Sequence, residues 1–434
     1  MTTPDSAGCG QKLLDFIQQS PTPFHAVANL RARLLAAGFR PLDEAAPWQL
    51  AEGGRYFVTR NGSSLVAFTR GENNPVDAGF RLVGAHTDSP ALRVKPKPDL
   101  YRQSCWQWGV EVYGGALLAT WFDRELGVAG KVSVEDGSGQ LHHLLFDSGR
   151  AVGVVPSLAI HLDREANNNR SINAQRDLPL LVGLAANDEK PDFASWLLEE
   201  LRVQHPAIAI ARLLDHELFC YDRLPGGFYG VQGELMASAR LDNLLSCHAA
   251  VEGLLAADGR QNCILACFDH EEVGSSSHAG AQGSLLRDIL ARLLPDAEGR
   301  IRAAARSMLL SVDNAHAVHP NFADKHDENH GPKLNAGPVI KIHSGQRYAS
   351  NSETQARFRS LCDSAGIPVQ TFVVRSDMAC GSTIGPIVAA ETGIRTLDIG
   401  VPTLGMHSIR ETAGVLDLTY LQESIQRFYS LERV

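Results

Sequence analysis

Apolar positions in the first forty residues recur at helical spacing: Leu13, Leu14 and Ile17, then Val27, Leu30, Leu34 and Leu35. The break Pro21-Thr22-Pro23 separates the two groups, so two helices are predicted before the first strand signals. Five later segments share another pattern, a short apolar run that ends in polar or acidic residues: RLVGAHTDS, CILACFDHEEVG, MLLSVDNAH, VQTFVVRSD and IRTLDIG. Each reads as a buried strand. Helical stretches over Asp242–Leu255 and Ser284–Leu294 lie between them. Strand and helix in alternation predict an α/β domain, a mainly parallel sheet flanked by helices.

The rhythm changes from about Lys95 to about Gly233, where glycine-punctuated, period-two text such as GVEVYGG and GVAGKVSVEDGSGQLHHLLF predicts β structure with one helix, DFASWLLEELR, inside it. Proline and glycine cluster at Lys95-Pro-Lys-Pro98 and Pro225-Gly-Gly227. The expected organisation is therefore an α/β domain of residues 1–94 plus 234–434, interrupted by a mostly-β domain, 95–233, that suits dimerisation.

Composition narrows the function. With 434 residues, 44% hydrophobic and 21% charged, the chain is a globular protein long enough for two or three domains. Its net charge of −9 repels nucleic acid and anionic lipid, and no local basic patch reverses that. No apolar run is long enough to span a bilayer and the opening MTTPDSAGCGQK is not a secretory signal, so no membrane association and a cytoplasmic location are expected. The eight cysteines form no C-x-x-C pair and read as reduced core residues. Asn61-Gly-Ser and Asn169-Arg-Ser match the glycosylation triplet by chance.

The chemistry gathers at strand ends, where open parallel sheets bind ligands. His86 and Asp88 close the first strand, Glu271 and Glu272 the second, and Asp313 the third; Asp242 opens a helix, and His407 follows a loop after IRTLDIG. His86, Asp242, Glu272, Asp313 and His407 make two imidazoles and three carboxylates, a set without thiolate that suits zinc, manganese or cobalt. Five protein ligands exceed the usual three of a catalytic zinc but suit two ions sharing one bridging carboxylate, with Glu271 left over as general base. From Asp242 to Glu272 is 30 residues and from there to Asp313 is 41, one βα unit each, while His86 and Asp242 lie 156 apart, the length of an inserted domain.

Five strings in order, His86-Thr-Asp88-Ser-Pro, Ala239-Arg-Leu-Asp242-Asn, Asp269-His-Glu271-Glu272-Val-Gly-Ser, Ser311-Val-Asp313-Asn-Ala-His316-Ala-Val-His319-Pro and Gly405-Met-His407-Ser-Ile-Arg-Glu411, closely resemble the M18 family of zinc aminopeptidases, in its aspartyl aminopeptidase branch. Tyr113-Gly-Gly and Thr120-Trp-Phe-Asp-Arg124 extend the match. The resemblance implies a zinc-exopeptidase-like fold with two Zn2+ per subunit: His86 and Asp313 on one, Glu272 and His407 on the other, Asp242 bridging, and Glu271 as base. It implies that Asp88 orients the metal histidine, a role that metal-bound imidazoles need in any case. It further implies that His161, in Leu158-Ala-Ile-His161-Leu, reaches a neighbouring subunit's active site, that Lys341 and Tyr348 line the pocket for the first side chain, and that the subunits assemble as a dodecamer built from dimers. The expected function is release of N-terminal residues, preferentially Asp or Glu, from short peptides. The alternatives are the same chemistry with a neutral, Leu-type preference, or a non-catalytic oligomeric scaffold.

Two look-alike motifs are set aside. In His326-Asp-Glu-Asn-His330 the glutamate stands third rather than second, unlike the zinc helix H-E-x-x-H, and Gly274-Ser-Ser-Ser-His278 fails the spacing of G-x-S-x-G. A role for His270, where relatives often carry asparagine, is left open.

Overall fold

The computed structural model describes residues 4–185 and 190–434. The chain divides into two compact units, the first formed by Met1–Ser89, Gly226–Met406 and Glu411–Val434, the second by Pro90–Pro225 and His407–Arg410.

Nine strands form the main sheet of the first unit, in the order Arg40–Pro41, Arg55–Arg60, Ser64–Thr69, Cys263–Phe268, Arg81–His86, Met308–Val312, Arg395–Gly400, Val339–Ile342 and Gln370–Val373. The four central strands, Cys263–Phe268 to Arg395–Gly400, run parallel. Antiparallel pairs occur on both sides of them, so the sheet is mixed around a parallel centre. Alternate residues of one strand serve opposite cores: Val83 and Ala85 join the cluster of Leu30, Leu244 and Leu421, while Leu82 joins that of Leu285, Ile289 and Ile384. Burial on both faces is why these strands read as unbroken apolar text.

The two N-terminal helices span Pro4–Gln18 and Pro23–Ala36, the second opened by Pro23 at its first turn, where the missing N–H costs nothing. Leu13, Ile17, Leu30 and Leu34 are buried, whereas Leu35 is 41% exposed and lies off the apolar stripe. The strands Arg55–Arg60 and Ser64–Thr69 stand where no strand was expected; they pair antiparallel through a turn in which Asn61 and Gly62 take φ of 58° and 69°. The Asn-Gly pair, met in the sequence as part of a glycosylation triplet, is a hairpin signal.

In the second unit, six antiparallel strands follow the order Leu141–Asp147, Leu126–Asp136, Ile210–Asp222, Ala91–Arg102, Cys105–Tyr113 and Leu180–Leu184. Pro96 and Pro98 sit inside a strand, where the register with its neighbour slips between Val94 and Asp99; an irregular stretch tolerates residues that cannot donate to a ladder. The helix Phe193–Gln204, capped by Asp192 accepting the Ser195 N–H at 2.8 Å, buries Phe193, Leu197 and Leu201 with Trp108 and Phe146.

Helix Leu241–Ala256 carries a fully buried histidine, His248, whose Nδ1 lies 3.1 Å from Arg33. Burial, with Arg33 and Lys12 adding to it, lowers its pKa to about 3. The unfolded chain takes up a proton below about pH 6.5 that the folded chain refuses until about pH 3, so stability is lost as pH falls through that window. By pH 5 the loss is expected to reach about 2 kcal/mol. Thermal midpoints measured from pH 7 to pH 5 should fall more steeply for the native protein than for His248→Phe.

Candidate metal centre

Register brings candidate ligands of the first unit to the carboxyl ends of the central strands. His86 is paired with Phe268, so the turn that follows Phe268 lies at its level, and Ser311 is paired with Gly84, which carries Asp313 to the same end. Asp242 enters at the start of helix Leu241–Ala256, behind a cis Asp242–Asn243 peptide. Donor atoms of His86, Asp242 and Asp313 lie within 4.8 Å of one another, as do those of His86, Glu271 and Glu272. The Nε2 of His86 is 3.4 Å from Asp242 Oδ1, 3.6 Å from Asp313 Oδ1 and 3.9 Å from Glu271 Oε2. All five of these side chains belong to the first unit.

The other imidazole nitrogen of His86 is tied back. Its Nδ1 lies 3.0 Å from the carbonyl oxygen of Asp88 and 3.4 Å from the Asp88 carboxylate. Backbone and carboxylate thus share the orienting contact that the sequence assigned to the carboxylate, and both leave Nε2 facing the other donors. The Asp88 carboxylate also accepts the N–H groups of Glu271 and Glu272, each at 3.1 Å. One buried side chain therefore holds both the histidine and the glutamate turn.

Further contacts hold the backbone of these segments. Glu411, 2% exposed, accepts the N–H of Asp242 at 2.9 Å; Ser89 donates to the Asp242 carbonyl at 2.6 Å; Asn243 donates to the Val312 carbonyl at 2.8 Å. The thiol of Cys247 donates to the His86 carbonyl at 3.0 Å. None of these four had a role in the sequence reading. Glu411 stood inside the string His407-Ser-Ile-Arg-Glu411, and an acid ending a motif is the signal that was there to use.

The charges are strongly interdependent. Burial disfavours a charged His86, but hydrogen bonds with Asp242, Asp313 and Asp88 outweigh it and hold its pKa well above the usual value. Burial pushes Glu271 up to about 8; His86 opposes this, and Asp313, Asp88 and Asp242 add to it. Glu272 is raised well above the usual carboxylate range, by burial first and then by Asp242. Burial pushes Asp313 up as well, yet Lys341 and His86 overcome it and hold the carboxyl below its ordinary range.

Lys341 is buried in the strand Val339–Ile342 at 2% exposure. Its ammonium donates to the Asn314 carbonyl at 3.1 Å, lies 3.4 Å from Asp313 Oδ2, and sits 5.1 Å from the ring centre of Tyr348, itself buried. The strand places the lysine one residue layer from a candidate ligand, which the apolar run around it did not reveal.

His407 and His161 belong to the second unit. His407, with φ of 67°, lies with its Nδ1 3.1 Å from the Gly115 carbonyl, and its own carbonyl accepts the Leu117 N–H at 2.9 Å. A Cβ at Gly115 would stand 3.2 Å from that imidazole, tighter than most real contacts, and this accounts for glycine in Tyr113-Gly-Gly. Thr120 takes the Ile409 N–H at 3.0 Å, linking the other insertion string to the histidine segment. His161 lies in an exposed turn flanked by Leu158, Ile160 and Leu162, which are 60%, 42% and 75% exposed.

Among the described residues, the groups of closely placed donors do not include His326 or His330; His330 Nδ1 instead lies 2.6 Å from Asp327. His270 takes φ of 63° and its Nδ1 meets the Ser277 hydroxyl at 2.8 Å, so it shapes the turn that presents the glutamates. His316 stacks edge-on against Phe372 and His319 packs on Phe322.

Imidazole and carboxylate donors converging at the carboxyl ends of a parallel sheet, with no thiolate among them, fit a hard or borderline divalent cation and the class of metal-dependent hydrolases. A model of the peptidase family M18, described as aminopeptidase I zinc metalloprotease, matches residues 16–429. A probable M18 family aminopeptidase 2 from Azotobacter vinelandii is 56% identical over 420 residues, 97% of each chain. The structure of Ape4 in its complex with Nbr1 is 37% identical, with a TM-score of 0.94 over 98% of this chain and 86% of that one. The mApe1 dodecamer of S. cerevisiae is 27% identical, with a TM-score of 0.84 over 96% and 95%. The chain belongs to the M18 family and is a metal-dependent aminopeptidase, a hydrolase of peptide bonds. Among the described residues no helix is long and apolar enough to cross a membrane.

Proposed function

We propose that this aminopeptidase holds two zinc ions per subunit and releases N-terminal residues, preferentially Asp or Glu, from short peptides in the cytoplasm. One observation carries the reading: His86, Asp242 and Asp313 present donor atoms to a common point, and Asp88 fixes Glu271 and Glu272 beside it. His86 and Asp313 would hold one ion and Glu272 and His407 the other, with Asp242 available to both. Manganese or cobalt suits the same donors. Zinc supplies Lewis acidity there, making water more acidic and a peptide carbonyl more electrophilic.

The protein's own groups do the rest. Glu271 takes the proton from the attacking water and gives it to the leaving amine; a carboxyl raised towards neutrality by burial is suited to both transfers. Carboxylates around the site attract the substrate's free α-ammonium group, which favours exopeptidase action. His161 reaches the active site of a neighbouring subunit and stabilises charge on the tetrahedral oxygen. The apolar side chains exposed on either side of His161 support docking against another copy through the second unit, and the dodecameric relative supports a dodecamer, which is taken to be built from dimers.

The preference for an acidic first residue rests on Lys341. An ammonium has three donors; Asn314 and Asp313 account for two, leaving one for the carboxylate of an Asp or Glu side chain beside Tyr348. The expected result with Asp-, Glu- and Leu-linked chromogenic substrates is faster turnover of the acidic pair. Lys341→Met should lower kcat/KM for these at least tenfold more than for Leu. Better turnover of Leu by the native protein would leave Lys341 as a partner of Asp313 alone.

A further inference from the structure

The strand Arg395–Gly400 carries a carboxylate that none of these roles uses. Asp398 is 0% exposed and lies between the strands of Asp313 and Lys341. Its partner on one side is Ser311; on the other, the antiparallel run Val339–Gly400 and Ile340–Ile399 carries Lys341 towards its level. Two separate segments donate to it. The Thr383 hydroxyl reaches Oδ1 at 2.5 Å, and the Ala349 N–H reaches Oδ2 at 2.6 Å.

Both segments matter to the pocket around Lys341. Ala349 follows Tyr348, the residue over whose ring the ammonium lies, and the next residue, Ser350, accepts the Asp398 N–H at 3.0 Å. Thr383 caps the helix Ile384–Thr392 by accepting the Gly385 N–H at 3.1 Å. A Cβ at Gly385 would collide with the Asp398 carboxylate, so glycine lets the helix start press against it. Burial, the largest influence, raises the carboxyl's pKa above its ordinary value, and Lys341, Thr383 and Ser311 oppose that rise. A buried charge is tolerable only when paired and hydrogen-bonded.

The same rule applies to Lys341. Its nearest carboxylate is Asp313, and a carboxylate committed to a cation has little negative charge left for a neighbouring ammonium. Asp398 belongs to none of the donor groups at the metal centre, so no cation there draws on its carboxylate. We propose that Asp398 is a specificity-positioning residue, a counter-charge to Lys341 set apart from the metal centre and the clamp that sets the Tyr348 loop around an acidic first side chain. This rests on the reading of Lys341 and Tyr348 as the first-side-chain pocket.

Asp398→Asn in the zinc-loaded protein tests it, because the amide keeps the shape and removes the charge. The ratio of kcat/KM for Asp-linked to Leu-linked substrate is expected to fall at least tenfold, chiefly through KM for the acidic substrate, with zinc content at the native level. Hydrogen exchange at the Ala349 amide should quicken. An unchanged ratio, or equal losses with both substrates, would overturn the proposal. If Lys341→Met abolishes the preference and Asp398→Asn does not, the pocket reading stands and only the role of Asp398 falls. If the native protein shows no acidic preference, both fall together. Should Asp398→Asn fail to fold, Thr383→Val removes one clamp while keeping the charge: a reduced ratio supports the proposal and an unchanged one overturns it.

Discussion

Glu271→Gln is expected to lower kcat by about 10^2- to 10^4-fold, the range that a positioned acid–base group contributes, while zinc content and KM stay near their native values. The amide fills the same space and cannot take a proton. Glu271 is not one of the proposed ligands, and its backbone N–H would still bond to Asp88, so the turn that presents Glu272 is preserved. Single-turnover kinetics with a zinc assay on the same sample check both halves. Native-like turnover would remove Glu271 from the mechanism; loss of zinc in parallel with activity would make it a ligand. The non-catalytic scaffold alternative predicts that the native protein shows no turnover at all, so the same experiment addresses it.

Chelation is expected to abolish turnover and to lower the thermal midpoint. Each cation held at a free concentration 1,000-fold above its dissociation constant stabilises the folded state by about 4 kcal/mol. Its removal also exposes an unfavourable feature, since Asp242, Glu271, Glu272 and Asp313 crowd within a few ångströms around His86, with Lys341 beside Asp313. Two like charges about 4 Å apart repel by about 4 kcal/mol at the effective dielectric of partly buried sites. Differential scanning calorimetry before and after chelation, followed by add-back of zinc, manganese and cobalt, measures the effect. A midpoint unchanged by chelation would mean that these side chains do not hold a structural share of the ions.

The periodicity of the chain revealed the central strands, because residues buried on both faces leave unbroken apolar runs. The same logic hid Lys341 and Asp398. Each is a charged residue within an apolar stretch, and whether it points to water or to a buried partner depends on strands far away in the chain or on loops that periodicity does not place. Asp88 was legible as a partner of His86 through its two-residue spacing; its hold on the Glu271–Glu272 turn was not, since that contact spans 183 residues. The hairpin of Arg55–Thr69 is written in the sequence as Asn61-Gly62 between two apolar runs, a turn signal that coincides with the glycosylation triplet. The strands of the second unit were legible as period-two text, whereas its exposed turn at His161 carries no periodicity.

The candidate ligands are scattered along the chain, from His86 through Asp242 and Glu272 to Asp313, and they become neighbours only through the pairing of Arg81–His86 with Cys263–Phe268 and Met308–Val312. Among the residues that converge at the site, only His86 with Asp88 and Glu271 with Glu272 are close neighbours in an unfolded chain. Sheet closure must therefore precede tight capture, and contacts of such long range form slowly. The ion therefore enters a sheet that has already closed, and its supply sets both how much of the protein is active and how firmly the folded state is held.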